Sequence, residues 1–349
     1  MRLERRPSVS KKLAIIAPIL AIMASLCISG ILIILAGVNP FVAYFEILKG
    51  AFGSKLALTE TLTRACPLIL TGLAAAVAFR ARLWNIGGEG QFYIGALVAA
   101  AVGNNLLTGF PIIMAMTLVM MCSMISGAIL LAGPALLRLR FGIDEVVTTL
   151  LLNFIIILFV GLMIEGPLKD PFAFGWPQSV PVDRSLRFAD LIPSSRLHNG
   201  FLIAIIAAIT VWIIVTRTIF GLKARATGFT PQAAAFSGIS LPKTIMGVAL
   251  ISGALAGLAG AIEVMGVTGY VTTTLSPGFG YAGIVVAMLA ALHPGGVIIS
   301  AIFIASIFIG ADAMSRATGV PSFIADVIMS LSLLTMLVAI FFTNYRIRK

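Results

Sequence analysis

The chain has 349 residues, of which 60% are hydrophobic and only 11% are charged. A soluble domain carries roughly 25% charged residues, so the composition excludes a soluble globular fold and predicts an integral membrane protein. The apolar runs are long and unbroken, which excludes a transmembrane barrel with its alternating strands. The formal net charge of +11 is attributed to Lys and Arg in cytoplasmic loops, and not to nucleic-acid binding.

Ten apolar runs, separated by charged residues, Pro and Gly, predict ten membrane-spanning helices. In chain order they cover 13–36, 62–79, 92–102, 111–131, 146–164, 201–216, 244–262, 281–292, 297–311 and 323–342. The amphipathic stretch 39–61 predicts an interfacial or partly re-entrant segment. The polar stretch 165–200 and the basic loop 217–243 predict connections that face solvent. We therefore predict an all-α integral membrane protein with a single transmembrane domain over residues 1–349.

The orientation is predicted from the distribution of basic residues. Residues 1–12 carry five basic side chains and one acid, and the run 13–36 is longer than the apolar core of a signal peptide, about 7–15 residues. We interpret this run as a retained first span. Ten spans that begin inside place both termini and 16 of the 24 Lys and Arg residues inside, as the positive-inside rule requires. The loop 217–243 is then cytoplasmic and the stretch 165–200 lies outside.

Two related patterns predict an internal repeat. The pattern Tyr-x-Gly-x-x-Val-Ala occurs at 93–99 and again at 281–287, and a pattern of small residues at 71–78 is matched at 252–259. The spans that contain the first pattern run in opposite directions. We therefore predict two halves of inverted topology, at about 13–190 and 201–342, as in many transporters.

The sequence offers no constellation for catalysis or metal binding. Cys27, Cys66 and Cys122 lie far apart in apolar runs, and His198 and His293 are distant from each other, so no metal-ligand spacing is present. None of the eight lysines follows a glycine, which excludes the phosphate-binding motif G-x-x-x-x-G-K-[ST]. We therefore predict no catalytic residue, metal or cofactor in this chain, and not a P-loop ATPase.

The stretch 85–91 is unusual at membrane depth because it combines three glycines with polar side chains. Such a break is tolerated where it lines a polar cavity or packs closely on a neighbouring helix. The alternative is a cytoplasmic turn between the second and third spans. The first interpretation gives candidate residues of a solute path, namely Asn85, Gly88, Glu89, Gln91 and Tyr93.

The loop 217–243 contains the signals of a short helix. Thr230 is a candidate N-cap, Pro231 suits the first helical position, and Gly238 can end the helix. So short a helix needs a packing partner, and Phe236 offers an apolar contact, which favours docking of a soluble subunit over an ordinary basic loop. The candidate docking residues are Arg225, Gly228, Thr230, Pro231, Gln232, Ala235, Phe236 and Gly238.

Small residues form a stripe along the predicted span 244–262. Gly253, Gly257 and Gly260 alternate there with alanines. Such stripes let helix backbones approach closely in a membrane. The stripe therefore predicts a tight helix contact.

Three stretches together resemble the permeases of bacterial ABC importers, in the branch for ribose, other simple sugars and nucleosides. They are LWNIGGEGQ at 83–91, GIDEVVTTLLLN at 142–153 and ARATGFTPQAAA at 224–235. The first is most similar to the nucleoside-type permeases, whereas Phe229 stands where relatives often carry Asn. The resemblance implies cytoplasmic ATPase subunits that bind ATP and Mg, a second permease subunit (the same or a different chain) and an extracytoplasmic substrate-binding lipoprotein. It also implies that the helix after Thr230 is the coupling helix.

We therefore expect a multi-pass permease of the bacterial cytoplasmic membrane that imports a small polar solute, most simply a nucleoside. A simple sugar is the alternative within this class. An ion-coupled secondary transporter and a membrane scaffold are alternatives from other classes, and both would work without an ATPase partner.

Overall fold

The computed structural model describes residues 2–5, 11–104, 106–107 and 109–348. Arg6 and Lys349, which were counted for the orientation, lie outside the described residues. The helices are α1 Lys11–Leu35, α2 Pro40–Phe52, α3 Lys55–Arg80, α4 Gly88–Gly103, α5 Ile112–Phe141, α6 Glu145–Glu165, α7 Gly200–Arg217, α8 Ile219–Phe229, α9 Pro231–Phe236, α10 Leu241–Glu263, α11 Phe279–Leu289, α12 Pro294–Thr318 and α13 Ile324–Asn344. A 3-10 turn at Arg184–Leu186 and a π-helical turn at Val264–Thr268 complete the helical elements.

Two strands of four residues accompany the helices. They are β1, Arg2–Arg5, and β2, Tyr345–Arg348, which pair antiparallel with Arg2 opposite Arg348. Helices dominate the rest of the described chain, so the prediction of an all-α membrane protein is confirmed.

The predicted number of ten spans is corrected. Among the described residues, six helices are long and apolar enough to cross a membrane, or seven if Ile19–Leu35 and Pro40–Phe52, bent by 114°, form one span. The six are Lys55–Arg80, Ile112–Phe141, Glu145–Glu165, Gly200–Arg217, Leu241–Thr268 and Pro294–Thr318. Helix α4 has 16 residues and α11 has 11, roughly 24 Å and 17 Å at 1.5 Å per residue, which is short of a hydrocarbon core of about 30 Å.

The chain divides into two compact units, and residues 1–65 with 285–349 form one of them. In this unit α1 packs against α13 and α2 packs against α12. Ser25 and Ser332 share a hydrogen bond of 2.9 Å between their hydroxyls. A Cβ on Gly310 would overlap the backbone of Ile47, so glycine lets α2 and α12 meet closely.

Residues 66–284 form the other unit, in which α10 packs against α4 and α5. The small residues predicted to make a tight contact explain this packing. A Cβ on Gly253 would overlap the carbonyl oxygen of Gly127, and a Cβ on Gly127 would overlap that of Gly253. The backbones of α5 and α10 therefore touch directly.

The two repeated patterns occupy equivalent surroundings within this unit. Gly95 of α4 packs on the backbone of Gly257 in α10, and Gly283 of α11 packs on Thr71 in α3. The glycine of the first motif therefore packs on α10, which carries the small residues at 252–259. The glycine of the second motif packs on α3, which carries the small residues at 71–78. The half boundaries at 13–190 and 201–342 stay a prediction.

Candidate functional site

A buried network of hydrogen bonds holds the break between α3 and α4. Asn85 and Gln91 exchange two hydrogen bonds of 2.9 Å between their side-chain amides. The Asn85 amide also donates to the Ser252 hydroxyl of α10 at 3.1 Å, and its oxygen accepts from the Gly87 amide. The exposed fractions of Asn85 and Gln91 are 3% and 1%, so both side chains are buried within the protein.

One face of α6 supplies the remaining partners of the break. Glu145, Thr149 and Asn153 are spaced by four residues and therefore lie on one side of the helix. The Glu145 carboxylate accepts from the Trp84 amide at 3.2 Å, Thr149 accepts from the Ile86 amide at 3.2 Å, and Asn153 accepts from the Gly90 amide at 2.8 Å. These three residues replace the helical partners that the non-helical backbone has lost.

Asn153 and Glu145 extend the network further. The Asn153 amide donates to the Ile86 carbonyl at 2.9 Å and to the Tyr281 hydroxyl at 3.1 Å. Glu145 pairs with Arg138, whose Nη1 lies 2.7 Å from the carboxylate and also donates to the Arg82 carbonyl. The sequence did not single out these side chains as supports of the break, although polar residues at every fourth position of an apolar helix are a readable signal.

Glu89 joins the start of α4 to the start of α11. Its carboxylate accepts from the Gly280 amide at 2.6 Å, and Glu89 is 3% exposed. A carboxylate is favoured at the positive end of a helix, here in the first turn of α11. Gly88 and Gly280 are close enough that a Cβ on Gly88 would lie 3.3 Å from the Gly280 carbonyl oxygen. Two short helices thus meet at their amino ends.

Tyr93 fixes the segment that leads into α11. Its hydroxyl donates to the Thr273 carbonyl at 2.8 Å and accepts from the Ser276 amide at 3.1 Å. All five predicted path residues are therefore buried. Asn85, Glu89 and Tyr93 bond to other parts of the protein, and Gln91 bonds to Asn85. In this conformation the cluster fixes the positions of α4, α6 and α11.

The loop 217–243 folds into α8 and α9, and α9 occupies the predicted position with Pro231 in its first turn. Gly238 has a φ of +79°, and the amides of Gly238 and Ile239 bond back to Ala235 and Ala234. This is a left-handed helix end that glycine favours. The predicted cap is wrong in one respect, because the Thr230 side chain makes no capping hydrogen bond. The backbone amide of Thr230 donates instead to the Ala226 carbonyl in the last turn of α8.

Helix α9 presents an apolar surface to the outside of the chain. Phe236 is 96% exposed, and Pro231, Gln232 and Ala235 are exposed as well. Phe229, the last residue of α8, is 76% exposed beside them. The two other predicted docking residues hold the loop in place. Gly228 packs so closely on the Arg80 carbonyl that no Cβ would fit, and the Arg225 guanidinium donates to the Val215 carbonyl.

The stretch 165–200 is an ordered connection with exposed aromatic side chains. Phe174 is fully exposed, and Phe172 and Trp176 are 83% and 66% exposed. His198 is buried, stacks on Phe188 and accepts from the Gly200 amide. Its burial lowers the pKa of His198 to about 4, so the ring is neutral at pH 7. In the described part of the chain, no group of three His, Cys, Asp or Glu side chains could hold a metal ion.

The chain is similar to known membrane transport proteins over most of its length. The family described as "Branched-chain amino acid transport system / permease component" matches residues 57–340. A guanosine ABC transporter permease protein of Bacillus subtilis is 33% identical, over 92% of this chain and 92% of its own length. A nucleoside ABC transporter permease protein of Lactococcus lactis is 31% identical, over 91% and 89%. A glucose ABC transporter permease protein of Haloferax volcanii is 30% identical, over 99% and 93%. No solved structure matches the chain.

Proposed function

The chain belongs to the family of branched-chain amino acid transport system permease components, and from this premise we propose that it is the membrane subunit of an ATP-driven importer of nucleosides. The guanosine and nucleoside permeases at 33% and 31% identity support this substrate class. The glucose permease, which matches 99% of the chain at 30% identity, supports a simple sugar as the second candidate. An ion-coupled secondary transporter would need no ATPase subunit, and a test for such a subunit separates the two classes.

The observation that carries this proposal is the exposed surface of α9. A six-residue helix is too short to persist without a packing partner, and Phe236 at 96% exposure has little to pack against within the described chain. We infer that cytoplasmic ATPase subunits, which bind ATP and Mg, dock on α9 as their coupling helix. Gly228 and Arg225 fix α8 to the rest of its unit, so a force on α9 is transmitted to the neighbouring helices.

The solute path is assigned to the buried cluster of Asn85, Gly88, Glu89, Gln91 and Tyr93. Helices that are interrupted and buried against their neighbours are typical of the substrate sites of transporters. In this conformation Asn85 bonds to Gln91, Glu89 accepts from the Gly280 amide and Tyr93 donates to the Thr273 carbonyl. Alternating access would require the contact of α4 with α11 to change. A second permease subunit, identical or different, completes the path.

The distribution of charge supports an orientation of the chain in the membrane. We propose that the chain lies in the inner membrane of a bacterial cell with both termini and α9 in the cytoplasm. The concentration of basic residues supports this orientation, and six spans, an even number, return the chain to the side on which it begins. The stretch 165–200 then lies outside, where its exposed aromatic residues would contact a substrate-binding lipoprotein. Aromatic side chains are enriched at such interfaces.

The coupling role is tested with Phe236→Ser. The side chain is almost fully exposed, so the substitution leaves the fold of the permease intact. We expect capture of the cognate ATPase subunit by the tagged permease to fall on the order of tenfold or more, the loss typical of an interface hot spot. Phe174→Ser removes an equally exposed ring from the stretch 165–200 and should leave capture unchanged. Normal capture by Phe236→Ser would refute the coupling assignment.

A further inference from the structure

An open groove of about 560 Å³ lies between the last turns of α5 and the first turns of α10. Its walls come from one side of each helix, because residues three or four positions apart lie on the same side. The lining residues are Leu136, Leu139 and Arg140 on α5, and Pro242, Lys243, Met246, Gly247 and Leu250 on α10. The groove thus combines apolar walls with two cationic side chains.

The two cations lie at the same end of the groove. Helices α5 and α10 run antiparallel, because Gly127 meets Gly253 whereas the earlier residue Ser123 meets the later residue Gly257. Arg140, near the end of α5, is therefore beside Lys243, near the start of α10. Leu250 lies seven residues further along α10, roughly 10 Å deeper at 1.5 Å per residue. The groove has a cationic mouth and an apolar interior.

Nothing in the described chain neutralises this mouth. Arg140 and Lys243 are both exposed, neither forms an ion pair with a described residue, and no described acidic residue lines the groove. The positive end of α10 at Leu241 and the negative end of α5 at Phe141 lie at the same mouth and oppose each other, so the positive charge of the mouth comes from Arg140 and Lys243. The site therefore favours an anion whose remainder is apolar.

We propose that this groove binds an anionic phospholipid. The lipid phosphate lies between Arg140 and Lys243, and an acyl chain follows Leu136, Met246 and Leu250 toward the membrane interior. Both helices are long enough to span a membrane, and Leu136 and Leu250 are exposed in the groove, so an acyl chain there can extend along the two helices. A second copy of the chain seated symmetrically on the groove would bring two pairs of like charges together, which is unfavourable. The proposal is independent of the transported solute, and the cytoplasmic leaflet follows from the proposed orientation.

The test compares lipid binding to the purified chain in neutral detergent by native mass spectrometry. Phosphatidylglycerol and phosphatidylcholine with the same acyl chains are titrated into wild type, Arg140→Gln/Lys243→Gln and the swap Arg140→Lys/Lys243→Arg. We expect wild type to prefer phosphatidylglycerol, and the neutral variant to lose affinity for it by about tenfold or more, since each basic residue near a membrane surface contributes about a fivefold factor. The swap variant keeps both charges and should keep the preference. The control Arg217→Gln/Lys223→Gln removes two basic residues from α7 and α8. This variant should also keep the preference for phosphatidylglycerol.

Four outcomes would overturn the proposal. Equal binding of the two lipids by wild type would show that the mouth does not select charge. Retained preference in the neutral variant would place the anion elsewhere. Competition by glycerol phosphate as strong as that by the whole lipid would indicate a site for the anion alone. Disulfide cross-linking of Leu136→Cys to Leu250→Cys between two copies in membranes rich in phosphatidylglycerol would show that a second chain covers the groove.

Discussion

Thr148 and Thr149 are neighbours on α6 whose hydroxyls both donate to the Glu145 carbonyl, but only that of Thr149 also accepts from another segment of the described chain. Thr148 donates only to carbonyls of its own helix, at Asp144 and Glu145. Thr149 is 1% exposed and accepts from the Ile86 amide. Thr149→Val leaves that amide without an acceptor, so we expect a loss of about 1–3 kcal/mol in stability. Thr148→Val should cost less than about 0.5 kcal/mol. Thermal unfolding of both variants in the same detergent measures the difference, and equal melting temperatures would contradict the support role of α6.

At this scale the sequence predicted part of the site. The glycines and polar residues of 85–91 indicated a break, because such residues are costly on a lipid-facing helix. Which atoms bond there depends on α6 and α10, more than 50 residues later in the chain, and no local pattern encodes that pairing. Thr230 shows the opposite case: the residue type predicts a capping side chain, yet its side chain makes no such bond.

At the scale of elements, the contact of α5 with α10 depends on glycine. We expect Gly253→Ala to lower the stability by about 1–3 kcal/mol, since the new methyl group must displace the backbone of Gly127 and overpacking costs this much. Gly161→Ala in α6 is the matched control, because its Cβ would meet only a Thr273 methyl group at 3.8 Å. This control should be neutral or stabilised by up to about 1 kcal/mol. A melting temperature of Gly253→Ala at or above wild type would disprove direct backbone packing.

The sequence predicted the positions of the helices better than their role in the membrane. A helix occurs at each apolar run that was predicted to be a span, and α9 occurs where Pro231 and Gly238 predicted a short helix. The runs at 92–102 and 281–292 looked like spans because they are apolar, but α4 and α11 are too short to cross. Their apolar residues are buried against other helices. Hydropathy alone does not distinguish lipid contact from protein contact.

At the scale of the whole molecule, the proposed orientation is tested by cysteine labelling. Cys27, Cys66 and Cys122 are first replaced by Ala, and single cysteines are placed at Phe174 and Gln232, which are both exposed. In intact cells an impermeant maleimide should label Phe174→Cys, and it should label Gln232→Cys only after the membrane is permeabilised. The reverse pattern would invert the topology and remove α9 from the cytosol.

The central claim is ATP-driven nucleoside uptake through this chain. The most direct measurement is uptake of radiolabelled guanosine by proteoliposomes that contain the permease, its cognate ATPase subunit and any second permease, with the binding lipoprotein outside and ATP with Mg inside. We expect uptake that requires ATP, falls with Phe236→Ser and is competed by other nucleosides but not by glucose. Uptake driven by an ion gradient in vesicles without the ATPase subunit would contradict it. ATP-dependent uptake of glucose with none of guanosine would leave the coupling assignment standing and replace the nucleoside by a sugar.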